Sequence, residues 1–567
     1  MKKLTFSALM LAAVSVLAVY EKSPQKKLMA FGWGNPRLIH YYKGISAEEF
    51  EKNLPFDGFS IAPYIYVHRN GKKLVYTSNQ LGPQTDIQLT KQDLQEWVDV
   101  FSKFKFKKLT DNFFGMTTAQ FGDDWFDDAT WNKVLNNHKM LAWMAKNCGF
   151  KGLVFDAEPY NTTCSPFAYR NNSKHSFKET EAKVRERGRE YIKALTSEYP
   201  DITIFCYVLI DFYFKNANYP ENAHVSRMAL YPAFWNGMLE ALPAGAKLID
   251  GNEHPGYHAA LKHEYDRMNS DFERERHATI LPENRERYNK MVSRAYASYL
   301  DSFVPNRKQQ QYLNWTKSKY PARLLYQALK LSLEYCDEYA WLWHEHGAWH
   351  KKSFFNIKYP FWRDRFPGCI EAINAARDPF GSAEKHASSE NLLENGTLST
   401  GRDIAMSNGP GTRGFGVPNW AVWQEITRSK GTIKAVKDGV SFRNVTNGSI
   451  VQTFQDFVPG ELLLFTAKCK ITGTGQKPGI GIFYRDENGN GLWRIGQRAE
   501  FGKPDKDGWC RARMLIEIPD LKLLNMTLQC SVSGSWFGMS KDVDCTFADV
   551  KLRRVIYPWW NFTAEKK

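Results

Sequence analysis

Residues 151–160 read KGLVFDAEPY, an apolar run that stops on two carboxylates one residue apart. Strand side chains alternate, so Asp156 and Glu158 share one side of the strand's C-terminal tip. Two like charges in one small space raise the pKa of one of them, the condition a general acid needs. Other apolar runs also end in acids: Asp211 after ITIFCYVLI, Asp250 and Glu253 in AKLIDGNE, Asp301 in SRAYASYLDSF, Glu345 in EYAWLWHE. Interleaved with them are Trp33, Asn112, Tyr160, Tyr207 and Trp343. Carboxylates beside flat aromatic faces suit the breaking of a glycosidic bond: an acid protonates the leaving oxygen, and a second group stabilises or traps the oxocarbenium-like centre. On this pattern Glu158, Asp156, Glu253 and Glu345 are the catalytic candidates. Trp33, Asn112, Tyr160, Tyr207, Asp211, Asp250, Asp301 and Trp343 are the candidates for holding sugar. Any one such acid can instead cap a helix, and Asp111 or Asp211 alone reads that way.

These tips must be gathered by a scaffold. From 27 to 380 the chain alternates short apolar strands with amphipathic helices, eight units in all. The pattern predicts an α/β fold, a (β/α)8 TIM barrel, whose site forms at the C-terminal ends of its strands. The seventh strand is the least distinct, because RERYNKMVSRAYASYLDS carries helical periodicity into it. An open doubly wound sheet is the alternative, but no glycine-rich dinucleotide fingerprint follows any strand. In the helical stretch 128–150 the apolar face includes His138, expected to be a core histidine. Residues 381–390 lose periodicity and read as a linker. Over 391–556 the period becomes two, with turns such as DENGNG, which predicts an all-β sandwich of jelly-roll type.

The first residues, MKKLTFSALMLAAVSVLAVYEKSPQ, carry two lysines, an apolar run too short for a span of ~20 residues, and small residues before Ala18. Residues 1–18 therefore read as a cleaved signal peptide, and the expected location is secreted or periplasmic, with no membrane span. Net charge is +15, yet the 76 Lys and Arg are scattered among 61 acids without a zinc-finger spacing or ribonucleoprotein motif, so nucleic acid is not the expected partner. Nine cysteines leave at least one unpaired, and the late group Cys469, Cys510, Cys530 and Cys545 allows one disulfide. No metal or cofactor motif is present, so none is expected, and the expected partner is an oligo- or polysaccharide substrate.

KGLVFDAEPY resembles the fourth-strand signature of family 18 glycoside hydrolases, Asp-Gly-x-Asp-x-Asp-x-Glu, at Gly152, Asp156 and Glu158. The resemblance implies that Glu158 is the acid/base and that Asp156 orients a substrate acetamido group acting as nucleophile. Lys151 and Val154 stand where that family keeps its first two aspartates. The chain is also similar to the large retaining-glycosidase clan, which places an acid/base Glu at strand four and a nucleophile at strand seven. That clan has Asn before the acid, where this chain has Ala157. The departures at Lys151 and Val154 favour an enzyme nucleophile and a retaining outcome. Residues 391–555 resemble jelly-roll carbohydrate-binding modules, in which Trp420, Trp423, Trp493 and Trp536 would be sugar platforms. The expectation is thus an exported glycoside hydrolase. A non-catalytic glycan-binding or surface-assembly protein is the alternative.

Overall fold

The computed structural model describes residues 26–561 except 33–34, 53, 79–86, 118–120, 123, 159–164, 171–173, 211–225, 305–319, 351–359, 399–412, 415–416, 418, 425–430, 473–477 and 533–542. The chain separates into one unit of Pro24–Asp378 with Pro558–Lys567 and another of Pro379–Tyr557.

In the first unit every pairing of the main sheet is parallel. Its strands are β1 (Lys27–Gly32), β2 (Gly58–Ile61), β3 (Phe113–Thr117), β4 (Gly152–Asp156), β5 (Thr203–Cys206), β6 (Lys247–Asp250), β7 (Val292–Arg294), β8 (Tyr296–Tyr299) and β9 (Tyr339–His344). They run in the order β8-β9-β1-β2-β3-β4-β5-β6-β7. Because β7 and β8 are two pieces of one stretch broken at Ala295, the sheet returns on itself as an eight-position barrel. The open-sheet alternative is thereby excluded. Parallel neighbours need crossovers, supplied by helices that include α1 (Lys91–Phe101), α2 (Asp128–Asn147), α3 (Phe177–Glu198), α4 (Tyr231–Ala241), α5 (Glu253–Tyr257), α6 (Lys262–Thr279), α7 (Pro321–Tyr335) and α8 (Cys369–Arg377).

Alternate strand residues fill the barrel: Met29, Phe31, Phe113, Val154, Phe205, Ile249, Ala297, Tyr339 and Trp341 form one interior cluster. The other parity packs under the helices, and burial on both faces is why these strands read as continuous apolar runs. Gly152 opens β4 because a Cβ there would lie 1.9 Å from the carbonyl oxygen of Thr203. Helix α3 starts at a capping box in which Ser176 and Glu179 exchange hydrogen bonds. His138 on α2 is a core histidine as expected: it is fully buried, meets the Tyr191 hydroxyl at 2.9 Å, and burial lowers its pKa to about 3.

The second unit is a sandwich of antiparallel sheets, as the period-two pattern predicts. One is β10 (Arg413–Gly414), β11 (Ala421–Gln424), β14 (Gly448–Phe454), β19 (Leu523–Val532), β16 (Gly479–Asp486) and β17 (Gly491–Glu500), in that order. The other is β12 (Thr432–Val436), β13 (Gly439–Val445), β20 (Val543–Arg554), β15 (Leu462–Ile471) and β18 (Cys510–Glu517). Two features differ from the sequence reading. The span read as a linker is largely helical, α9 (Pro379–His386), because burying Ala383 against the unit outweighs the weak propensity of its Gly and Ser. The late cysteines form no disulfide among the described residues. All eight described cysteines are buried free thiols, and Cys469, Cys510, Cys530 and Cys545 pack in the sandwich core as small apolar groups. Among the described residues no helix is long and apolar enough to cross a membrane.

Candidate active site

Residues 1–18, Trp33, Tyr160, Asp211 and Trp536 lie outside the described residues. The remaining candidates fall into a group at the C-terminal mouth of the barrel and a group elsewhere.

Val154 faces the interior, so parity turns Asp156 inward at the end of β4. Its carboxylate accepts the backbone N–H of Glu158 at 2.9 Å, which curls the chain at the tip and leaves Glu158 half-buried. Burial first, and then the charge of Glu158, raise Asp156 well above the usual carboxylate range, against the lowering effect of that N–H bond. Repulsion within the pair was expected, and Asp156, the deeper partner, shows its effect.

One strand on, Tyr207 follows β5. It is buried, stacks on Trp341 at 4.7 Å and meets the edge of Trp343 at 5.6 Å. Its phenol is pushed well up, by burial and then by the charges of Asp156 and Glu253, with Glu158 also contributing. Three carboxylates from two strand ends thus act on one ring.

Glu253 begins α5, after a turn in which Asn252 takes a left-handed conformation (φ 45°) and donates to the carbonyl of Ala295 at 3.0 Å. Asparagine enters that region at low cost. The Glu253 carboxylate is 8% exposed and accepts the Tyr257 hydroxyl at 2.9 Å. Just beyond β9, Glu345 accepts Trp343 Nε1 at 2.9 Å on one oxygen and the Tyr299 hydroxyl at 3.0 Å on the other. Two donors hold that carboxylate in one orientation.

Asp301 is not a surface acid waiting for sugar. It is fully buried and accepts the Glu345 N–H at 2.8 Å and His346 Nδ1–H at 3.0 Å, with the Arg365 guanidinium 3.6 Å away. It positions the loop that carries Glu345. Asn112 and Asp250 are corrected outright as sugar contacts. Strand β3 begins at Phe113, so Asn112 sits at the opposite, N-terminal end of the barrel, where it accepts Phe59 N–H and donates to the Leu109 carbonyl. Beside it Asp111 takes the Lys27 ammonium and the Tyr339 hydroxyl. Asp250 has the wrong parity: Ile249 faces the interior, so Asp250 points into the helix layer, where its charge helps raise Tyr231 and Tyr288.

Tyr257 was missed by sequence reasoning, although its i,i+4 spacing from Glu253 is a readable signal. Arg365 leaves no such signal, since it reaches the site through Asp301, and His346, beside Glu345 in sequence, lies 3.8 Å from the Glu345 carboxylate as well as against Asp301. In the sandwich, Trp420 is core, Trp423 is half-buried, and Trp493 is 67% exposed with Phe483 at 4.8 Å. Among the described residues no group of three or more His, Cys, Asp and Glu side chains could hold a metal ion.

No protein-family model and no curated protein matches the chain. Solved structures that share some of its geometry include a Bacteroides thetaiotaomicron protein provisionally described as an alpha-L-fucosidase, at 9% identity and TM-score 0.33, covering 94% of this chain and 96% of that one. The enzymatically active domain of bacteriophage CBA120 tailspike protein 4 matches at 12% identity and TM-score 0.22, over 29% of this chain and 21% of that one. Modules of a Clostridium thermocellum endo-1,4-beta-D-xylanase match at 12% identity and TM-score 0.20, over 30% of each chain. The chain therefore spans under a third of the tailspike and xylanase chains it matches.

Proposed function

We propose that the protein is an exported, retaining glycoside hydrolase acting at the barrel mouth on an oligo- or polysaccharide. The observation that carries this reading is the inward-facing Asp156 bonded to the Glu158 N–H at the barrel mouth, with the Tyr207, Trp341 and Trp343 rings packed together there. Glu158, the more exposed of the β4 pair, is the acid/base that protonates the leaving oxygen and then activates water. Glu253, oriented by Tyr257, is the opposing carboxylate. Asp156, its pKa raised by burial and its carboxylate holding the Glu158 N–H, positions Glu158 and tunes it through its charge. Trp343 offers a face for a sugar ring, while Glu345 accepts sugar hydroxyls.

Screening the protein on a panel of polysaccharides and aryl glycosides identifies the substrate. Glu158→Gln and Glu253→Gln should then each lower turnover by at least ~10²-fold while the fold persists. Full activity in either variant would remove that residue from the reaction. Saturable sugar binding with no hydrolysis across the panel would establish the non-catalytic reading instead.

A further inference from the structure

The outer face of the sheet β12-β13-β20-β15-β18 carries an unusual row of cations. A cavity of about 290 Å³ opens there, lined by Glu384, Thr466, Lys468, Arg511, Asp549, Lys551 and Arg553. Strand register sets Lys468 directly opposite Arg511, and Thr466 between Arg513 and Lys551. Like charges directly opposite one another weaken a sheet, so the facing Lys468 and Arg511 need anions beside them. Five cations, Lys468, Arg511, Arg513, Lys551 and Arg553, face two carboxylates. Asp549 takes Lys468 at 3.4 Å and Lys551 at 2.6 Å, while Glu384 takes Arg513 at 3.5 Å and Arg511 at 4.0 Å. Arg553 is left over: its Nε is buried and has no hydrogen-bond partner among the described residues. A desolvated guanidinium nitrogen without an acceptor is costly, and an oxyanion would remove that cost.

We propose that this cavity binds an oxyanion carried on a glycan chain, a sulfate ester or a uronate carboxylate. Arg553 and Lys551 would be its main donors, with Arg511 on the far side. Planar guanidinium groups suit such ions because they can donate two parallel hydrogen bonds. That the anion is borne by a glycan rests on the reading of the barrel mouth. The anion itself does not.

The test measures binding of the full chain to dextran sulfate, polygalacturonate and plain dextran over a series of salt concentrations, with duplex DNA as a further arm. Parent protein should bind one or both charged polysaccharides and ignore plain dextran. Lys551→Gln combined with Arg553→Gln should weaken that binding about tenfold and lower its salt slope by about two. The charge-matched control Lys503→Gln with Lys522→Gln should change neither. Arg511→Gln, at a side chain 59% exposed, repeats the measurement with little risk to the fold. Equal losses in the pair and its control, or tighter binding to DNA than to either charged polysaccharide, would overturn the proposal. A chain that binds polyanions but hydrolyses nothing fails only the catalytic reading, and one that hydrolyses but ignores polyanions fails only this one.

Discussion

Asp301→Asn tests the scaffold behind the candidate site. The substitution keeps shape and removes a charge from a side chain that is fully buried. In the parent, this carboxylate receives the N–H of Glu345 at 2.8 Å, His346 Nδ1–H at 3.0 Å, and Arg365 at 3.6 Å, whose side chain is 9% exposed. Removing one partner of a buried ion pair costs about 3–5 kcal/mol, mostly because the other charge stays desolvated. The asparagine carbonyl can still accept the Glu345 N–H, which places the expected cost near the lower end, about 3 kcal/mol. Turnover should fall as well, because His346 and Arg365 lose their anionic partner and the loop that carries Glu345 shifts with them, and an error of about 1 Å in a site can cost up to ~10²-fold. Urea unfolding followed by tryptophan fluorescence reads the first effect, and kcat against KM on the identified substrate reads the second. A destabilisation below about 1 kcal/mol would mean that Arg365 is satisfied without Asp301, and the hub described here would be wrong.

Asp156→Asn should act in the opposite sense on stability. The folded pKa of Asp156 lies above its unfolded value of about 3.9, so its favourable contribution is complete below that value and is lost as pH rises through the folded one. Parent and variant should therefore match in acid, with the variant gaining steadily toward neutral pH while losing turnover; a pH series of urea midpoints showing a constant gap would contradict the burial of this acid. At the other end of the chain, Trp559 is 4% exposed and lies 6.1 Å from Tyr326 and 5.5 Å from Trp560, so Trp559→Ala should cost about 3–5 kcal/mol. Cutting the chain after Arg377 would remove both tryptophans and should leave the barrel less stable than the intact protein, a result read from urea unfolding of the two forms. The eight described cysteines should resist an aromatic disulfide reagent until denaturant is added, and rapid labelling of any of them in native protein would show an opening of the core.

Much of the architecture was legible because backbone periodicity is local. Strands buried on both faces read as short apolar runs, helices between them announced parallel crossovers, and the change to period two marked the sandwich. Alternation made the inward turn of Asp156 legible in the same way, while Glu158, two residues past the end of β4, is held beside it by its N–H bond to that carboxylate. What sequence could not convey was where each strand begins and which neighbour each acid meets. A start at Phe113 sends Asn112 to the far end of the barrel, and one position of parity turns Asp250 into the helix layer. Asp301 looked like a ligand for sugar and is instead the buried anchor of Glu345, because Arg365 and His346 reach it from distant or turned segments. Residues 381–390 looked like a linker and hold most of a helix, because burial of Ala383 contributes more than local propensity. Composition and spacing determined the kinds of groups available at the barrel mouth. Only tertiary packing decided which of them share a desolvated space, because burial and through-space charge depend on residues far apart in the chain.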